Sequence, residues 1–166
     1  MKYSFLVFGE GGADKKFLIK LIDLDKFKFH TKKWVPSYDN ASGGSPRNIL
    51  EQCKGATSGK AYHLVLCFID LDKLKSDFSG QWLLEKNKLE KEFLEFTIIW
   101  QLDKAEDEYK RVLGELKCGK SKLNTVARKS VEKFINSDFW KRILQPIKDK
   151  EFELDKLEEE GQTKTQ

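Results

Sequence analysis

One stretch constrains this chain more than any other: Leu64-Val65-Leu66-Cys67-Phe68-Ile69-Asp70-Leu71-Asp72-Lys73. It opens on an unbroken apolar run, Leu64 to Ile69, rich in strand formers. A run this short, with no polar alternation, reads as a strand buried on both faces, the kind that parallel sheets contain. Asp70 and Asp72 follow at its end, one residue apart. In a parallel sheet the carboxyl end of a strand is where ligands bind. An acidic pair there is poor for folding and good for holding a divalent cation.

The other segments supply the rest of such a sheet. Tyr3 to Phe8 is apolar and aromatic and predicts a first buried strand. Gly9-Glu10-Gly11-Gly12 follows as a turn with a carboxylate inside it. Asp14 suits a helix cap, and Phe17, Leu18, Leu21 and Ile22 recur at helical spacing. Phe27 to Val35 predicts a second strand near a sheet edge, and Pro36 to Pro46 a loop. A short helix is expected over Arg47 to Lys54. Leu83 to Phe96 carries Leu89, Phe93 and Phe96 at helical spacing, and Phe96 to Trp100 reads as a fourth strand. Tyr109, Val112, Leu113 and Leu116 predict a helix that starts near Asp103 and ends at Gly119. Leu123 to Phe134 gives another. Ser137-Asp138 caps a last one through Trp140, Ile143 and Leu144, with a frayed acidic tail beyond Pro146. Strands alternating with helices make the fold class α/β, a mostly parallel sheet covered by helices.

Composition narrows the function. A chain of 166 residues, 39% hydrophobic, is one domain or one domain with an appendage and is not disordered. Its net charge of +4 permits an anionic partner without demanding one. Two histidines, His30 and His63, are too few for a histidine-rich metal site. Cys53, Cys67 and Cys118 lack CxxC spacing, which argues against zinc and disulfides and for a reducing, cytoplasmic setting. No run approaches a membrane span, and no leader pattern precedes the first strand. Gly55 to Lys60 resembles a phosphate-binding P-loop only loosely: its glycine spacing is one residue short, no Ser or Thr follows the lysine, and it precedes a strand.

Glu10, Asp70 and Asp72 each follow a buried strand. If those strands are neighbours, the three carboxylates meet at one sheet edge and repel one another unless a cation joins them. Magnesium takes one or two carboxylates, keeps several waters and bridges to phosphate oxygens. That is the physical case for phosphoryl chemistry.

Phe5-Leu6-Val7-Phe8-Gly9-Glu10-Gly11-Gly12-Ala13-Asp14, followed by Leu66-Cys67-Phe68-Ile69-Asp70-Leu71-Asp72, resembles the TOPRIM domain of topoisomerases, bacterial primases and OLD-family nucleases. The resemblance covers roughly Lys2 to Trp100 and is nearest to the OLD-type and small standalone forms. It implies a four-stranded parallel sheet and chemistry on nucleic-acid phosphodiesters that depends on Mg2+ or Mn2+. It implies that Glu10 acts as general acid or base and helps bind metal, that Asp70 and Asp72 hold metal, and that Asp14 assists. OLD-type nucleases add later acidic residues and a lysine; Glu106 and Glu108, then Lys117 and Lys120, follow the fourth strand. Each also has a plainer reading: Asp14 as a helix cap, Glu106 and Glu108 as the charged face of a helix, Lys120 as solvated surface. Trp34 and Trp100 read as core and His63 as a strand-edge residue.

The expectation is a TOPRIM-like catalytic unit over 1–102, helices packed on it over 103–148, and an acidic, polar tail over 149–166. The expected activity is a magnesium-dependent nuclease acting on DNA or RNA. The alternative is a noncatalytic TOPRIM module that binds nucleic acid or a protein partner in a defence or repair assembly, alone or as a homo-oligomer. A receiver-like domain is disfavoured, because its acidic pair follows the first strand and here a single glutamate does.

Overall fold

A computed structural model describes residues 1–23, 33–101, 104–114 and 118–163. Four strands form one sheet: β1 (Tyr3–Gly9), β2 (Trp34–Asn40), β3 (Leu64–Asp70) and β4 (Thr97–Gln101). Their order is β2-β1-β3-β4, and every neighbouring pair is parallel. The helices are α1 (Gly12–Ile22), α2 (Pro46–Thr57), α3 (Leu71–Asp77), α4 (Trp82–Glu92), α5 (Ala105–Leu113), α6 (Lys120–Lys129) and α7 (Asp138–Thr163), with a 3-10 turn at Val131–Phe134. The chain is therefore an α/β protein with an all-parallel sheet, helices on both faces and a long C-terminal helix. No described helix is long and apolar enough to cross a membrane.

The unbroken apolar strands follow from this layering. Successive side chains of a strand point to opposite faces. Phe5 and Val7 of β1, with Leu66 and Phe68 of β3, pack under α1, α5, α6 and α7. Leu6 and Phe8, with Val65, Cys67 and Ile69, pack against α2, α3 and α4. Both faces are covered, so neither residue parity is free to be polar.

Several boundaries differ from the expectations, each for a physical reason. β2 spans Trp34–Asn40 and passes through Pro36, in what reads as loop; the proposed start of that strand, 27–32, lies outside the described residues. Proline cannot donate to a ladder, yet an edge strand has hydrogen-bonding neighbours on one side only, and β2 is the edge. Helix α1 begins two residues before Asp14, with Gly11 at its N-cap, so Asp14 is a first-turn residue and not the cap itself. Ser45 is a true cap: its hydroxyl accepts the Asn48 amide at 3.2 Å, and Pro46 opens α2. Helix α5 stops at Gly114, whose φ of 86° favours glycine, and Gly119 caps the start of α6.

The largest difference is at the end of the chain. α7 does not fray after Pro146 but continues to Thr163. Proline removes the hydrogen bond to the carbonyl four residues back and crowds that carbonyl, at a cost of about 3 kcal/mol, and contacts beyond it hold the helix down. Ile147 is buried, and Leu154 packs against the core. Asp155 accepts hydrogen bonds from the Tyr3 hydroxyl at 2.7 Å and the Lys33 ammonium at 2.6 Å, and Glu151 accepts the Trp34 indole N–H at 2.8 Å. The acidic residues of this segment thus bind the amino-terminal ends of β1 and β2.

Candidate active site

The order β2-β1-β3-β4 places β1 beside β3, so the turn after β1 and the end of β3 are neighbours at the carboxyl edge. Glu10 and Asp70 meet there. The Asp70 amide donates to Glu10 Oε2 at 3.0 Å, a contact across 60 residues of sequence. The turn is tight enough to draw in α1: a Cβ on Gly9 would lie 3.3 Å from Asp14 Cβ and from the Lys15 nitrogen. Gly9 thereby lets Asp14 sit beside Glu10. Asp70 ends β3 and caps α3, whereas Asp72 already lies in the first turn of that helix and accepts the Lys73 amide at 2.8 Å.

Glu106 approaches from α5. It lines a cavity of about 460 Å³ together with Glu10, Asp14 and Asp70. A second hollow of about 420 Å³ shares Glu10, Asp70 and Glu106 and adds Asp72. Glu10, Asp14, Asp70, Asp72 and Glu106 therefore face one groove. Glu108, two residues along α5, does not join them. It is buried and pairs with the Arg142 guanidinium at 2.5 Å, while Arg142 also donates to the Trp100 carbonyl at 2.9 Å. Trp34 and Trp100 are buried in the two cores. His63 lies near the amino-terminal end of the sheet, where its Nδ1 accepts the Ser4 amide at 2.9 Å.

Lys120, at the first position of α6, pairs with Glu106 at 3.4 Å and lines both hollows. It reads as solvated surface in the sequence because nothing local shows that α6 packs beside α1. Lys73 and Lys104 on the rim carry no sequence signal either. Lys117 lies outside the described residues.

Crowding shapes the electrostatics. Burial, then the charges of Glu10 and Asp14, push the Asp70 carboxyl up to about 8. Burial, then Glu10 and Glu106, push Asp14 up to about 6, against a lowering hydrogen bond from the Gly11 backbone. Glu10 is raised too, chiefly by burial, which the Asp70 amide partly offsets. Lys120 is raised by its carboxylate neighbours, Glu106 first. Asp70 Oδ1 is buried without a hydrogen-bond partner among the described residues. An acceptor left in that state carries an unmet desolvation penalty.

Among the described residues, no three His, Cys, Asp or Glu side chains already stand arranged as a metal cage. Hard oxygen donors, one of them orphaned, nevertheless fit Mg2+ or Mn2+, which needs only one or two carboxylates from the protein. The chain matches no protein-family model, no curated protein and no solved structure.

Proposed function

We propose that this chain is a TOPRIM-like, magnesium- or manganese-dependent enzyme that processes phosphodiesters, namely a nuclease. The observation that carries the reading is the convergence of Glu10, Asp70 and Asp14 at the carboxyl edge of adjacent parallel strands, with Asp70 Oδ1 lacking a partner. Asp70, Asp72 and Glu106, with Asp14, would hold the cation. When bound, such an ion stabilises charge on the transferring phosphoryl group and activates water.

The chain's own groups have distinct tasks. Glu10 is held in place by the Asp70 amide, and burial makes its carboxyl a better proton acceptor than an exposed glutamate. It would take a proton from the attacking water or return one to the leaving oxygen. Lys120 places a positive charge beside the carboxylates, where the charge on a phosphate develops. The N-terminus of α1 opens on the same cavity, and its dipole favours an anion there.

The test is a cleavage assay on single-stranded and duplex DNA and RNA with Mg2+ or Mn2+, run beside Glu10→Gln. Metal-dependent cleavage lost in that variant supports the enzyme. Undiminished cleavage by Glu10→Gln places the activity elsewhere, and inactivity of the unmutated protein transfers the reading to a binding module.

A further inference from the structure

The groove has two unlike walls, and the strand order sets them apart. The loop after β2 forms one wall, from Asn40 to Gly44, and carries no charged side chain. The amides of Ala41, Ser42 and Gly43 are spent inside the protein. Ala41 donates to the Gly9 carbonyl at 2.9 Å, Ser42 to Gln52 Oε1 at 3.0 Å and Gly43 to the Glu10 carbonyl at 3.1 Å. The Ser42 hydroxyl also goes to Gln52, whose Nε2 donates to the Gly43 carbonyl. Gly43 and Gly44 hold φ of 82° and 112°, so the loop turns where side chains are disfavoured. This wall is neutral, with most of its amides already spent, and it offers little to a phosphate.

The opposite wall follows β3 and β4, where Lys73, Lys104 and Lys120 rim the second hollow with Ser76, beside the carboxylates of Asp72 and Glu106 that would face the cation. Glu10 and Asp70 lie between the walls. No aromatic side chain lines either hollow among the described residues, so stacking on bases does not contribute there.

We infer that the groove takes one strand of nucleic acid, with its phosphates along Lys73, Lys104 and Lys120 and its sugar and base side against the Asn40–Gly44 wall. A duplex presents two charged backbones, and the neutral wall has nothing to offer the second. The inference rests on the nuclease reading and names its substrate class. Binding through phosphates alone is insensitive to base sequence and steep in salt.

The experiment uses a fluorescein-labelled DNA oligonucleotide, single-stranded or annealed to its complement, titrated with the full chain at several sodium chloride concentrations. Calcium replaces magnesium to hold back cleavage. The single strand is expected to bind more tightly than the duplex at each salt concentration. Lys73→Gln and Lys104→Gln are each expected to lower the slope of log affinity against log salt by about 0.7. Lys148→Gln, an exposed lysine on α7 outside both hollows, is expected to leave the slope unchanged. Melting curves establish that each variant is folded. Equal or tighter duplex binding, or slopes unchanged in the two groove variants, overturns this inference and leaves the nuclease reading standing. If the unmutated chain binds neither form and cleaves neither, both fall together.

Discussion

The two ends of the sheet use the same side chains for opposite purposes. At the amino-terminal end, Asp155 and Glu151 of α7 are met by Tyr3, Lys33 and Trp34. Lys33 and Tyr3, by hydrogen bonding, hold the Asp155 carboxyl below its ordinary value. At the carboxyl-terminal end, Asp70 and Asp14 are crowded by other carboxylates and pushed upward. An acid that has been given its partners closes the fold. An acid left short of partners stores an electrostatic penalty that a ligand can relieve.

Neutralising Asp70 should separate the two ends most strongly. Asp70→Asn keeps the shape and removes a hard anionic donor. Metal-dependent cleavage is expected to fall by at least about a hundredfold, since removing one strong transition-state contact costs roughly that much. Metal-free melting of the same variant is expected to be at or above that of the unmutated chain, because repulsion is relieved. Adding magnesium should raise the melting temperature of the unmutated chain by up to several degrees. The bound ion contributes about 2.7 kcal/mol at a hundredfold excess over its Kd. The variant should gain little. A clear loss of metal-free stability in Asp70→Asn would make Asp70 a structural cap and remove the contrast.

The Glu108–Arg142 pair tests a carboxylate of the first kind that lies only two residues from one of the second. Arg142→Met would take the guanidinium away from the buried Glu108 carboxylate, and is expected to cost about 3 kcal/mol in urea unfolding. A loss below about 1 kcal/mol would show that the guanidinium is not what holds the Glu108 charge in the core. At the far end, Asp155→Asn is expected to cost about 1 kcal/mol, the usual scale of a part-buried hydrogen-bonded contact. An unchanged midpoint would mean that apolar contacts alone seat α7.

The dependence on pH differs in sign between the ends. Asp70 and Asp14 hold protons more tightly folded than unfolded. Their contribution to metal-free stability is therefore greatest near the ordinary aspartate value, about 4, and declines as pH rises toward about 8. Asp155 is lowered, so its contribution is present above about 4 and is lost as pH falls through its folded value. Melting of the unmutated chain and Asp70→Asn from about pH 4 to about pH 9 checks this. The alkaline decline should be shallower in the variant, and parallel curves would remove Asp70 as its source.

The sequence makes the sheet and half of the groove legible. Leu64 to Ile69 is apolar at both parities because both faces are covered, and Glu10 and Asp70 follow from strands whose ends are plain to read. β2 is harder to see, because an edge strand tolerates Pro36 and needs little apolar alternation. Glu106 and Glu108 look alike along a charged helix face. Only the packing of α7 decides between them, by sending Arg142 to Glu108 and leaving Glu106 to the groove. The acidic run after Pro146 reads as solvated tail because its partners, Tyr3, Lys33 and Trp34, stand more than a hundred residues earlier.

That last separation bears on how the chain matures at the ribosome. The hydrogen bond between Tyr3 and Asp155 spans 152 positions, and α7, at about 1.5 Å per residue, reaches back to secure strands made first. Closing so long a loop is slow to be rewarded. A nascent chain halted before residue 151 would hold β1 and β2 without their clasp, and the Trp34 indole without the Glu151 carboxylate. The order of synthesis therefore assembles the groove residues before the helix that locks the opposite end of the sheet.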